Sequence, residues 1–358
     1  GFSSWAGSIV LGREAYVGGG IQQWRESAAL WDGEDAHAEF LERSRRDTLD
    51  LTEVLDQDLV RVLYWRMPTR PARKVDGNTY LYGDPEGEWQ VMRFDPATEL
   101  YQVVDRAPRP RQTADDLERE VEAEERGLER PPPGPEAYAA EVDAMAAFPN
   151  RAVRGRGAGI NIDYRRPEWL EAIALRVDLV ERHLEVQKQQ ALRSLPPQAD
   201  LGLRLLAGGG DFASNQGPFY SPAFFHAAVM PRLRQVTEAY EARGCYLLYA
   251  SDGNLWPVAD DLFGAAGVHG YYEVDLRAGM DLRRLRERFP ELTLLGGISS
   301  HTLHTGTRDE VVAETRAAME AAAELGSVLV GCSNQIVAGT PPASIEAMVE
   351  TIDRMRPI

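Results

Sequence analysis

The stretch YLLYASDGNLWP, residues 246–257, decides the fold. Five residues too apolar to face water on either side run straight into a Ser-Asp-Gly-Asn turn, and Pro257 then stands where a helix opens, since proline is tolerated in a first turn. This is a strand handing over to a helix. The same order recurs around it: Leu201–Ala207, then Ser221-Pro222 opening a helix to about Arg243; Val268–Val274, then Asp281–Phe289; Leu292–Gly296, then Thr307-Arg-Asp-Glu310 starting a helix through Leu325 in capping-box style; and Ser327–Gly331, then Pro342–Met355. With a helix over 257–266 after the quoted strand, five strand–helix units fill the chain from residue 201.

Strands apolar enough to be covered on both faces and alternating with helices require a parallel sheet. An open doubly wound sheet would carry a glycine-rich phosphate turn, but Gly208-Gly-Gly-Asp211 is followed by Phe, Ala, Ser and Asn and lacks G-x-G-x-x-G spacing. The expectation is therefore a single (β/α)8 TIM barrel spanning residues 1–358. Leu59–Trp65 and Val153–Ile160 are the best further strands; the remaining one has no clear signal. Thr79–Tyr82, Trp89–Phe94 and Leu100–Val104 read as antiparallel β, with a turn at Asp84–Gly87, and so as a β-hairpin insertion over 77–105. The acidic segment Asp115–Glu125 reads as a solvated helix. Glu168–Arg193 reads as one amphipathic helix, with His183 on its surface, and this helix with the hairpin could build a homodimer face.

The chain of 358 residues carries 39 Lys and Arg against 56 Asp and Glu, a net charge of −17, which repels polyphosphate and anionic lipid and argues against nucleic acid as a partner. No run approaches the ~18 apolar residues of a membrane span, and Gly1–Gly20 lacks the basic-then-apolar order of a secretory leader. The two cysteines, Cys245 and Cys332, are too few for a disulfide framework, and a cytoplasmic location is expected. No G-x-S-x-G, P-loop or H-E-x-x-H pattern is present.

In a parallel barrel the loops after the strands gather at one rim. The sequence fills those places with polar groups: Asp211, Ser214, Asn215 and Gln216; Ser251, Asp252 and Asn254; Glu273 and Asp275; Ser299, Ser300, His301 and His304; Cys332, Ser333, Asn334 and Gln335. Any one of these is ordinarily a cap or turn residue. Recurrence in five loops points to a polar pocket for a small molecule, in which Asp211, Asp252 and Glu273 crowd and raise one another's proton affinity. Asp252 is the strongest acid candidate, because the following glycine allows a turn lifting Asp252 and Asn254 into the mouth. Tyr64 and Trp65 could form an aromatic wall. His301 and His304 without a third ligand make no metal site.

Five motifs together resemble the uroporphyrinogen decarboxylase superfamily: GGDFASNQGPFYSP (209–222), SDGNLWP (251–257), AGMDL (278–282), LGGI (295–298) and AGTPP (338–342). The resemblance covers about residues 200–358 and implies a (β/α)8 barrel with its pocket at the rim. Members include the porphyrinogen decarboxylase and methyltransferases that exchange methyl groups with a corrinoid protein, some using zinc to activate a thiol. Where zinc-dependent members carry His-x-Cys-Gly, this chain has Ala250-Ser-Asp252-Gly, and their later cysteine falls at Asn334. No zinc or other metal is therefore expected. The decarboxylase's Arg-Gln-Ala-Gly-Arg run is also missing, and Arg61, Arg66, Arg70, Arg154 and Arg156 look scattered. What the resemblance then implies is an enzyme moving a methyl group from a small methylated substrate to a separate corrinoid (cobalamin) protein. Asp211 or Asp252 would be the acid, Asn215, Gln216, Asn254, Glu273, His301 and Asn334 would contact substrate, and Tyr64 and Trp65 would pack its apolar body. The alternatives are a carboxy-lyase acting on a porphyrinogen or other small carboxylate, and a non-catalytic binding barrel.

Overall fold

The computed structural model describes residues 3–62, 65–108 and 111–356. Seven parallel strands form one curled sheet: β1 (Leu59–Val60), β2 (Ala152–Arg156), β3 (Leu205–Gly209), β4 (Tyr246–Ala250), β5 (Gly270–Val274), β6 (Thr293–Ile298) and β7 (Val328–Cys332). They are hydrogen-bonded in that order. Tyr246 to Ala250 pair with Leu205 to Gly209, and Leu294 to Ile298 with Val328 to Cys332. β5 departs from this regularity: Tyr272 pairs with Leu295 and Val274 with Gly296, so Glu273 is bulged out of register.

The alternation from residue 201 onward has the expected cause. Leu206, Leu247, Tyr249, Tyr271 and Leu294 are fully buried under the covering helices and form one core with Phe225, Leu233, Leu262 and Leu285. Thr307 and Glu310 close their capping box, Asp281 caps Leu282–Arg288, and Ser221 caps the helical segment that starts at Pro222. That segment is not uniform: a π-type turn over Phe225–Val229 interrupts it before Met230–Glu241. After β4 a short 3-10 turn, Trp256–Val258, leads to another π-type turn, Asp260–Ala265, in place of a plain helix over 257–266.

The first half departs further from expectation. Among the described residues the parallel sheet has seven strands rather than eight, with β1 and β7 at the two ends of the hydrogen-bonded order. The pairing of β1 spans only Leu59 and Val60. In place of a simple hairpin, Arg73–Lys74, Thr79–Gly83, Trp89–Asp95 and Leu100–Arg106 form a four-stranded antiparallel sheet. Its apolar face packs on the helix Gly19–Asp32, where Trp24 stacks on Phe94 with ring centres 4.5 Å apart. The long helix is two, Pro167–Leu175 and Val177–Asp200. Arg176 turns the corner: its N–H closes the first on the Ala172 carbonyl while its own carbonyl accepts from Leu179 and Val180. The second helix continues through Pro196 and Pro197 because Gln198 is buried and bonds the backbone of Arg156 through both amide atoms, tying the helix to β2. His183 is not a surface residue: its Nδ1 lies 2.7 Å from Glu124 and its ring stacks on Trp169 at 4.4 Å. Glu124 lies on the acidic helix Ala114–Gly127, which buries Leu117 and Val121 and otherwise keeps a charged face. No helix of the described residues is long and apolar enough to cross a membrane.

Candidate functional site

Parallel strands deliver their C-terminal ends to the same edge, and here those ends bring together residues distant in sequence. Asp211 follows β3, Asp252 follows β4, Glu273 lies in the bulge of β5, and Asn334 follows β7. One carboxylate oxygen from each of Asp211, Asp252 and Glu273 lies within 4.8 Å of the other two. Beside them opens a cavity of about 300 Å³ whose polar lining includes Asn215, Asp252, Asp275, Arg277, His301 and Asn334.

Each acid is held differently. Asp211 Oδ1 accepts the Asp252 N–H at 3.1 Å, which fixes the two loops to each other. Asp252 Oδ2 accepts from Asn334 Nδ2 at 2.6 Å. The Asn334 amide cannot turn over freely, because its Oδ1 takes the Gln335 N–H at 2.7 Å, so it presents a donor to Asp252. Glu273 sits at φ 75, a left-handed conformation that costs a non-glycine residue about 1–3 kcal/mol. The bulge imposes it, and the buried Tyr271 hydroxyl, 3.2 Å from the carbonyls of both Ser251 and Glu273, ties the ends of β4 and β5 together.

Three like charges at this separation cannot all ionise cheaply. Burial, then Asp211 and Asp275, lift the Asp252 carboxyl to about 6, against the donation from Asn334. Burial, then Asp252 and Asp211, lift Glu273 to about 7, with Arg61 pulling the other way. The cluster thus holds exchangeable protons near neutrality. It is also an all-oxygen donor set of a spacing that could hold a hard cation. A zinc-thiolate site does not fit, since neither Asp252 nor Asn334 offers sulfur and Cys332 packs with the neighbouring apolar cluster, where burial raises its thiol.

The other sequence candidates divide. Asn215 and His301 line the cavity. Gln216 is exposed in the loop between the short strands Ala213–Ser214 and Gly217–Pro218, outside that lining. Asn254 does not turn into the mouth: its Oδ1 accepts the Trp256 N–H at 3.1 Å and its N–H bonds the Ser214 carbonyl at 2.8 Å, so it shapes the loop. Trp65, at φ 64, is partly exposed and absent from the lining, and Tyr64 lies outside the described residues. His301 and His304 share the helix Ser300–Thr305 but go different ways, His304 contacting Thr340 at 3.3 Å.

Sequence reasoning passed over two features. Of the five arginines that look scattered, Arg61 and Arg154 come together beside Tyr272 and Glu273. Arg154 stands 5.2 Å over the Tyr272 ring, and burial and Arg154 lower the Arg61 guanidinium to about 9. The alternation of β2, with Val153 and Gly155 buried on either side of Arg154, was the available signal. Arg66 and Arg156 instead pair with Glu26 and Glu141. Arg277, which follows β5 two residues after the rim acid Asp275, also lines the cavity.

A curled parallel sheet with its polar cluster at the strand ends defines an α/β enzyme-type scaffold. The family model of Uroporphyrinogen decarboxylase (URO-D) matches residues 211–355, the segment that supplies Asp211, Asp252, Glu273 and Asn334, so this part of the chain is similar to that family. Across its whole length it superposes on a methyltransferase from Methanosarcina mazei with TM-score 0.59 at 18% identity, covering 100% of both chains. No curated protein matches the sequence.

Proposed function

We propose that the protein is a methyltransferase that takes a methyl group from a small methylated substrate and passes it to a corrinoid carried by a separate protein, using a carboxyl group of the cluster as acid. The observation that carries this reading is the convergence of Asp211, Asp252 and Glu273 within 4.8 Å, with Asp252 and Glu273 lifted to about 6 and about 7. Breaking a methyl ether or amine needs a proton on the departing oxygen or nitrogen, and a carboxyl kept protonated near neutral pH supplies it. The methyl group goes to the partner's reduced cobalt, the proton to the heteroatom, and the demethylated alcohol or amine is released. Asp252 is the donor, since it alone of the three lines the cavity; burial, Asp211 and Asp275 raise its proton affinity, and Asn334 fixes which oxygen faces the substrate. The likeness to a solved methyltransferase is consistent with this. A complete eight-stranded ring, a cytoplasmic location and a homodimer belong to the same reading.

The test mixes the purified protein with reduced cobalamin, free or on a corrinoid protein, and a panel of methoxylated aromatic and methylated amine donors, following methyl–cobalt formation by its visible spectrum. The reading expects methyl transfer, reduced at least ~100-fold by Asp252→Asn. Release of carbon dioxide from a carboxylate substrate without methyl transfer would favour the carboxy-lyase instead.

A further inference from the structure

The lining of the rim cavity includes a cation as well as acids. Asp275 and Arg277 are two residues apart, yet Asp275 does not neutralise Arg277. Asp275 Oδ1 accepts the backbone N–H groups of Arg277 and Ala278 at 3.0 and 3.1 Å, and Oδ2 accepts that of Gly253 at 3.3 Å. Its carboxylate is spent on the loop.

The other arginines of the same segment are engaged. Arg283 pairs with Glu324, Arg284 lies 3.8 Å over the Trp256 ring, Arg286 bonds the carbonyls of Pro290, Gly326 and Ser327, and Arg288 pairs with Asp260. Among the described residues Arg277 alone of these five makes no ion pair, ring contact or side-chain hydrogen bond, and it alone lines the cavity. On a chain of net charge −17 an exposed guanidinium would ordinarily collect a carboxylate. Asn215, Ser299, Ser300 and Ser333 add donors around the same space.

We infer that Arg277 is a specificity-determining residue that binds a carboxylate on the substrate, so that the cavity takes a small methylated carboxylic acid. The inference rests on reading this cavity as the substrate site and names the substrate class within it. A guanidinium offers a planar fork of donors that matches a carboxylate with two parallel bonds. With the carboxylate on Arg277, the methylated end is left to face Asp252 and Asn334 across the cavity. Reversed, the anion would face Asp252, the one acid of the cluster in the lining, whose charged form repels it. Arg277 therefore sets orientation as well as affinity.

The experiment compares binding of the three methoxybenzoate isomers and their methoxybenzamide isosteres by calorimetry, in the wild type, Arg277→Gln and Arg277→Lys. The expected result is that at least one benzoate binds the wild type tenfold or more tightly than its amide. Arg277→Gln abolishes that preference, and Arg277→Lys retains part of it. Equal affinity for acid and amide in the wild type, a preference unchanged in Arg277→Gln, or no saturable binding of any benzoate overturns the inference. Carboxylate preference without methyl transfer to cobalt leaves Arg277 in this role and removes the methyltransferase reading. Methyl transfer from neutral donors that is indifferent to Arg277→Gln does the opposite.

Discussion

Asn334 donates to Asp252 across 82 positions of sequence, Nδ2 to Oδ2 at 2.6 Å, with its own oxygen pinned by the Gln335 N–H. A hydrogen bond given to a carboxylate favours its charged form, so this contact restrains the rise that burial and the neighbouring acids impose on Asp252. Replacing Asn334 by Leu removes the restraint. The alkaline limb of the pH profile of kcat/KM should move upward, because Asp252 then keeps its proton to higher pH. The rate should fall about tenfold because the acid is no longer oriented. A purely structural role for Asn334 would lower the rate without moving the limb.

Asp211→Asn works in the opposite direction. Asp211 raises the proton affinity of both Asp252 and Glu273, and an asparagine oxygen can still accept the Asp252 N–H that joins the two loops. With the charge gone and the loops still joined, the alkaline limb should move down by roughly one pH value. Measured activity from pH 5 to 9 decides it: an unmoved limb would mean that the acids do not interact.

How far the sequence reveals this site depends on how each residue reaches it. Asp211, Asp252 and Asn334 follow apolar runs that can only be covered strands, so their common edge follows from parallel order alone. Glu273 was legible as a strand-end acid, but the bulge that re-aims it was not, since nothing in Tyr271–Val274 marks a left-handed residue other than glycine. Asn254 looked like Asp252 by position, and its fate was decided by a turn bond to Trp256 within the loop. The first half was less legible because β1 pairs over only two residues, too few for a period, and because Arg61 and Arg154 become neighbours only through the register in which β1 pairs with β2.

The acid cluster also carries a stability cost with a defined sign. The folded protein lifts Glu273 from 4.5 to about 7, so its favourable contribution is complete below about pH 4.5 and is lost as pH rises through about 7. At about 1.4 kcal/mol for each tenfold change in proton affinity, the difference at pH 8 is roughly 3 kcal/mol. Glu273→Gln should therefore raise Tm by a few degrees at pH 8 and leave it nearly unchanged at pH 4.5. Equal shifts at the two pH values would assign the effect to packing instead.

Tyr271 tests whether the strained placement of Glu273 matters. Its buried hydroxyl lies 3.2 Å from the carbonyls of Ser251 and Glu273, and Phe removes that bridge while keeping the ring packed against Phe263. The loss should cost about 1–2 kcal/mol in urea unfolding, as for a buried hydrogen-bonding group. Freed from the bridge, the bulge can relax and carry the Glu273 carboxyl away from Asp211 and Asp252. The pH dependence of stability that Glu273 contributes should then shift toward lower pH in Tyr271→Phe, along with the loss of stability.

The composition of the cluster makes a separate demand on metal dependence. Zinc sites draw on thiolate and imidazole, and the three groups that converge here offer only oxygen, with Asn334 turning a donor toward Asp252. In the proposed mechanism the cluster works through its protons, and a bound cation would strip them by favouring the carboxylates. Prolonged dialysis against EDTA should leave methyl transfer within twofold of its starting rate. Added Mn²⁺ should inhibit, more strongly at pH 8 than at pH 5.5, where protons compete better for the same oxygens. Loss of activity on chelation, restored by one metal, would replace the proton-based mechanism with a metal-based one at these same three carboxylates.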